Sequence, residues 1–435
     1  MSFCYLRNLL GCIKMSIKVF AMGTIFSALL SLFLVIRPLH IEGRESEWLF
    51  ASIVGFVAII FLLVLFLLMT MAWTPLGKAE ENFTWRILEL YQKDTNNFLA
   101  TVWVVFFLIA SIACVLDLIW AHQIPSEYMI PLWVLLFGIT IDACFYKVKK
   151  VYAYLTPFGV IQMFANQAKK SVQDEKELDL CHWIEALSEV AFKALERLST
   201  SVCHESINEM QKTMRFFLES SKSISHHEQD SQSLAMGVKD KVGYTLFYFF
   251  QRLELIHEKA VQSKLEMTSE QVISALGKLT LDAAKYDLSV VSYPVHYIGK
   301  FALKSQAAEL SEVGTKATLI LVEVTKAIVS QVDLSYQELQ EPFLAIINNL
   351  EKIAKETFRQ NKSINLKLLV QPFKDLKELF EKNEKIANHQ DKPVLVQALD
   401  RIIDEFNTLE VVLKTMPPIS DFTQSSLSSE SGNGQ

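Results

Sequence analysis

Apolar residues are distributed unevenly along this chain: four long apolar runs, residues 19–36, 49–73, 98–121 and 129–146, crowd the first third, and none of that kind follows Lys150. At 1.5 Å per residue, helices of about 18 to 25 residues cross roughly 30 Å of hydrocarbon. Backbone groups surrounded by lipid must be satisfied within their own segment, so each run is predicted to be a membrane-spanning helix. The second run holds no charged residue, which argues against a buried core helix of a water-soluble protein. Trp48, Trp73, Trp120, Tyr128 and Tyr146 fall where an interfacial aromatic belt would lie.

Beyond Lys150 the pattern changes. Apolar residues recur at three and four, and Pro294, Pro342, Pro372 and Pro393 punctuate the segments. The expected fold class is therefore all-α: a four-helix transmembrane region followed by a large cytosolic helical bundle or irregular helical-repeat domain. The expected division is a cytosolic N-terminal segment (1–18), the four-span region (19–146), a juxtamembrane segment (147–170), a first helical part (171–219), a polar linker (220–240), the main helical domain (241–416) and a disordered tail (417–435). Met15 is an alternative start. Residues 319–324 are β-branched enough to resemble a strand, but their helical flanks make a buried helix the better reading.

A loose template recurs in this part: Ile184-x-x-Leu187, Ile273-x-x-Leu276, Val295-x-x-Ile298, Ile347-x-x-Leu350 and, approximately, Val396-x-x-Leu399. The copies stand 89, 22, 52 and 49 residues apart, so a single fixed period is not expected. Within this template Gly277 and Gly299 are expected to be close-packing positions, because a helix interior otherwise disfavours glycine by about 1 kcal/mol.

Charge orients the spans. Arg7, Lys14 and Lys18 precede the first; Lys78, Arg86 and Lys93 separate the second and third; Lys147, Lys149 and Lys150 follow the fourth. The opposite side holds only Arg37 and Arg44, so the count is nine against two and both termini are expected in the cytosol. There Asn82 and Asn361 would escape glycosylation despite their acceptor sequences. The basic flank Lys147, Lys149 and Lys150 would also favour anionic lipid.

Candidate chemistry is sparse. Two carboxylates, Asp117 and Asp142, lie inside spans, where ionisable groups are functional suspects by default. Their expected depths differ, which argues against a paired carboxylate site. Six cysteines without a Cys-x-x-Cys do not form a disulfide framework, and Cys181-His182 with Cys203-His204 could approach a zinc geometry only across a helical hairpin. Phosphate-cradling, nucleophile-elbow and zincin motifs are all missing, so neither an enzyme nor a cofactor is expected. A net charge of −6 with interleaved lysines and glutamates disfavours nucleic acid. The block containing Tyr244, Phe247, Tyr248 and Phe250 reads as a core helix, with a partner or membrane-contact surface as the sharper alternative.

The order of four spans, the connection Arg86-Ile-Leu-Glu-Leu-Tyr-Gln-Lys-Asp94 and the helix beginning at Ile184 resemble an uncharacterised family of predicted bacterial membrane proteins. That resemblance implies four spans, a cytosolic helical domain and an inner-membrane address. The paired hairpins also look somewhat like proteins that intracellular bacteria insert into a host vacuole membrane. The expected function is a polytopic membrane protein whose helical domain binds protein partners or self-associates, as a scaffold or regulator. The alternative is a small-ion channel or transporter subunit with Asp117 or Asp142 on its path.

Overall fold

The computed structural model describes residues 23–36, 44–121, 126–227, 232–334 and 337–415, and all regular structure among them is helical. The chain divides into two compact units, Met1–Val160 and Ile161–Gln435.

The first unit contains α1 (Gly23–Ile36), α2 (Arg44–Asn82), α3 (Arg86–Lys93), α4 (Thr95–Leu116) and α5 (Ser126–Leu155). A π-helical turn, Asp117–Ala121, continues α4. Three helical stretches are long and apolar enough to cross a membrane: Trp48–Leu67, Thr95–Trp120 and Tyr128–Leu155. Three of the four expected spans are thus present among the described residues as helices of sufficient length. The first apolar run appears only as the shorter helix Gly23–Ile36, because its remaining residues lie outside those described.

Aromatic contacts fill the interior of this unit. Phe61 meets Phe107 and Phe137 edge-on, with centroids 5.2 and 5.6 Å away, and Trp133 stacks on Phe137 at 5.5 Å. The buried indole of Trp133 donates to Ser111 Oγ at 3.0 Å, which satisfies its one polar atom. The outer faces are equally apolar: Phe56, Leu63 and Phe66 on α2 and Phe98, Phe106 and Ile109 on α4 are all exposed. Helices apolar all round suit a hydrocarbon surrounding. In the connection between α2 and α4, Ile87 and Leu90 turn inward and Phe83 is half-buried.

The second unit begins within α6 (Pro157–Gln173) and continues through α7 (Glu177–Glu196), α8 (Thr200–His227), α9 (Gln232–Gln262), α10 (Glu266–Tyr286), α11 (Ser292–Ala307), α12 (Ser311–Gln331), α13 (Gln340–Gln360), α14 (Leu366–Lys382), the short α15 (Glu384–Ala387) and α16 (Lys392–Thr415). The expected juxtamembrane segment, 147–170, is thus the end of α5 and most of α6. Over 220–240, where a polar linker is expected, α8 runs on to His227 and α9 starts at Gln232. Residues 319–324 are helical, inside α12, and the expected tail lies outside the described residues.

These helices form a two-layered, repeat-like stack. Helices α8, α10, α12 and α14 neighbour one another in one layer, and α7, α9, α11, α13 and α16 in the other. Four turns share one construction. Glu175, Leu198, Lys264 and Glu309 each adopt a positive φ, between 55° and 67°. The N–H of the next residue donates back to the carbonyl of Ser171, Ala194, Ala260 or Ser305, at 2.8 to 2.9 Å. This is the Schellman closure, made here without glycine. The template glycines mark the closest approaches within a layer: a Cβ on Gly277 would overlap Ile320 of α12, and one on Gly299 would overlap the Asn349 amide of α13.

Candidate functional site

The two carboxylates of the apolar helical stretches are held apart. Helices α4 and α5 run antiparallel, with Lys147 Nζ donating to Thr101 Oγ1 at 2.8 Å and Trp133 meeting Ser111. That register sets Asp142 level with Val105, twelve residues before Asp117, an axial offset of roughly 18 Å. Asp117 opens the π-helical turn and is half-buried. Asp142 is 8% exposed and faces α1: its Oδ2 accepts from the Thr24 backbone N–H at 2.9 Å and from the Thr24 hydroxyl.

The basic flank is not one uniform set. Lys149 is exposed, but Lys147 is only 3% exposed, with its ammonium on Thr101. Lys150 pairs with Asp94 at 2.8 Å and lies over the Tyr154 ring. Asp94 also caps α4, accepting from the N–H groups of Asn96 and Asn97 at 3.2 and 3.3 Å. Burial works to raise the Asp94 carboxyl, but Lys150 and the two N–H donors outweigh it and hold the group below the usual carboxylate range. Only Lys149 thus answers to the expected solvated flank. Helical geometry is the reason: Lys147 and Lys150 fall on the face of α5 that meets the start of α4.

The aromatic block splits in two. Phe250 is buried, packed on Tyr297 with centroids 4.9 Å apart, so it does not belong to a partner surface. Tyr244 and Phe247 are exposed at 57% and 52%, and Tyr248 is half-buried, its hydroxyl accepting from Arg252. Helices α7, α9 and α11 run parallel. Arg252 pairs with Glu185, Lys300 with Glu254 and Lys304 with Glu258. This register sets the exposed Leu178 of α7 level with Tyr244, and the exposed Tyr293 of α11 level with Phe247. An apolar and aromatic strip therefore crosses three neighbouring helices, at the N-terminal ends of α7 and α11 and near the middle of α9. Leu178 and Tyr293 are not apparent from the sequence, because they join the strip only through the register of the stack.

Helices α7 and α8 do form the hairpin that a zinc site on the cysteine-histidine pairs would need. Both thiols turn into the core, where burial pushes Cys181 up to about 11 and Cys203 up to about 12. His204 Nε2 lies 3.2 Å from the Thr268 hydroxyl. Among the described residues no group of three or more His, Cys, Asp or Glu side chains could hold a metal. A buried histidine elsewhere carries no sequence signal: His257 stacks on Phe301 with centroids 4.4 Å apart, and its Nε2 lies 3.0 Å from Ser305 Oγ.

No family model matches the chain, and no curated protein matches it. Among solved structures, the chain is similar to a circular tandem repeat protein with novel repeat topology and enhanced subunit contact surfaces. The identity is 12%, the TM-score 0.39, and the match covers 92% of this chain and 98% of that one.

Proposed function

We propose that this is a multi-pass integral membrane protein with both termini in the cytosol, whose helical stack binds protein partners or a second copy of itself as a scaffold or regulator of a membrane process. A bacterial inner membrane is the proposed address. Apolar side chains on the outer faces of α2 and α4 support the membrane half of this reading. The observation that carries the other half is the strip formed by Leu178, Tyr244, Phe247 and Tyr293, large side chains aligned across three helices yet left exposed. Aromatic anchors of this kind supply most of the energy in protein interfaces.

A photo-crosslinking residue placed at Phe247 in the full-length protein, expressed in cells, tests it. Adducts of discrete mass are expected from Phe247 and not from the exposed Leu368 of α14. A homodimer-sized adduct identifies self-association, and a larger or smaller one a different partner. Equal labelling at both positions, or none at Phe247, defeats the interaction reading.

A further inference from the structure

The strip formed by Leu178, Tyr244, Phe247 and Tyr293 has a charged companion row. Seven residues along a helix return to nearly the same face, about 10 Å further on. Glu185 of α7, Glu254 of α9 and Lys300 of α11 stand seven residues beyond Leu178, Phe247 and Tyr293. Arg252 joins them from α9, and the four groups form the ion pairs Glu185–Arg252 and Glu254–Lys300. All four side chains keep 20% to 44% of their surface exposed, so a second molecule can reach them.

Across the layer, from α7 through α9 to α11, these charges run negative, positive, negative, positive. Reversal of that order gives positive, negative, positive, negative. The row is therefore its own electrostatic complement under a two-fold axis that lies on the outer face parallel to α9, the operation that brings α7 of one copy opposite α11 of another. Glu185 then faces the second copy's Lys300, and Arg252 faces its Glu254. The same axis lays the apolar strip on itself, with Leu178 opposite the second copy's Tyr293 and with Tyr244 and Phe247 close to the axis. A two-fold axis perpendicular to α9 loses the match, because it carries the charged row to the other side of the strip.

The area suffices. The four strip residues are 52% to 73% exposed, and at about 200 Å² per large side chain they offer roughly 500 Å² of apolar surface per copy. Two copies would bury roughly 1,000 Å² before the charged row is counted, which reaches the size of a specific interface.

We infer that the strip is the contact of a symmetric homodimer whose two-fold axis runs parallel to α9. The inference rests on the interaction reading of the strip and names its occupant, a second copy of this chain.

The test uses the full-length chain in liposomes, with wild type as the control for its own cysteines. Copies carrying Leu178→Cys are mixed with differently tagged copies carrying Tyr293→Cys and oxidised. A disulfide is expected between unlike copies. Like copies should not join, because helix spacings of about 9 Å put equivalent residues roughly 20 Å apart, beyond disulfide reach. Energy transfer between donor- and acceptor-labelled copies, followed against the protein-to-lipid ratio, measures dimer strength. Glu254→Lys with Lys300→Glu keeps that ion pair within the chain but sets every charge of the row against its like across the axis, so the dimer should weaken at least about tenfold. Addition of Glu185→Lys and Arg252→Glu restores the alternation and should restore wild-type strength. Phe247→Ala, which leaves the core untouched, should weaken the dimer by a similar factor. Like copies that join as readily as unlike ones, a double exchange that leaves the dimer unchanged, or a chain monomeric at every density overturns the homodimer. If it is overturned while Phe247 still photo-crosslinks a protein of another mass, the interaction reading stands; if no adduct forms at Phe247, both fall.

Discussion

Replacing His257 with phenylalanine should remove an acid sensitivity built into the α9–α11 interface. The imidazole is fully buried against Phe301, and burial, with the Lys304 charge adding to it, lowers its pKa from the ordinary 6.5 to about 3. Between those values the unfolded chain binds a proton that the folded chain excludes, so stability falls as the medium is acidified. Above about pH 6.5 both states are neutral there and the contribution is constant. At pH 5 the difference amounts to 1.5 pH units of linkage, or about 2 kcal/mol at 1.36 kcal/mol per unit. His257→Phe keeps the stacked ring but forfeits the Ser305 bond, a constant loss of about 1 kcal/mol at any pH. The variant should therefore be less stable at pH 7.5 and the more stable of the two at pH 5. Hydrogen exchange of α9 and α11 peptides in the full-length protein, corrected for intrinsic rates, reads both terms. Parallel pH profiles for the two proteins would refute the assignment of a buried neutral imidazole.

Three other outcomes follow from the packing. Phe250→Ala should destabilise the helical stack by about 3 to 5 kcal/mol, while Phe247→Ala should change stability by no more than about 0.5 kcal/mol; denaturant unfolding followed by exchange separates a core ring from a surface one. Gly277→Ala, which forces a methyl into Ile320, should cost about 1 to 3 kcal/mol despite the better helix propensity of alanine, and a variant as stable as wild type would show that α10 and α12 can part at no cost. Cys181 and Cys203, buried thiols raised to about 11 and about 12, should resist maleimide at pH 8 until the stack is unfolded.

Periodicity made the helical class legible in the sequence. It also exposed Gly277 and Gly299 as close-packing positions, because glycine inside a strong helical pattern requires a neighbour's approach to explain it. Span number was less secure: hydropathy counts apolar residues, and the first run has only Gly23–Ile36 among the described residues. The lysines after the fourth apolar run look alike in a charge count, yet 100° steps around α5 send Lys147 inward and Lys150 to Asp94. In the block from Tyr244 to Phe250, Phe247 and Phe250 stand only about 60° apart around α9, yet the edge between surface and core falls between them. Leu178, Tyr293 and His257 were illegible, because their roles depend on which helices stand side by side.

The four turns closed through Ser171, Ala194, Ala260 and Ser305 carry an evolutionary consequence. Each ends a helix by backbone bonds, and the unbranched-Cβ side chains of Glu175, Leu198, Lys264 and Glu309 are all accepted at the reversal, at a modest local cost where glycine would be easier. Two of these reversals, at Lys264 and Glu309, stand 45 residues apart. A hairpin of that length is thus a cassette with interchangeable joints, and gain or loss of one would lengthen or shorten the stack without redesigning the rest. Related chains of different length should differ by whole hairpins, and sequence comparison at the turns themselves will be the least informative place to look for kinship.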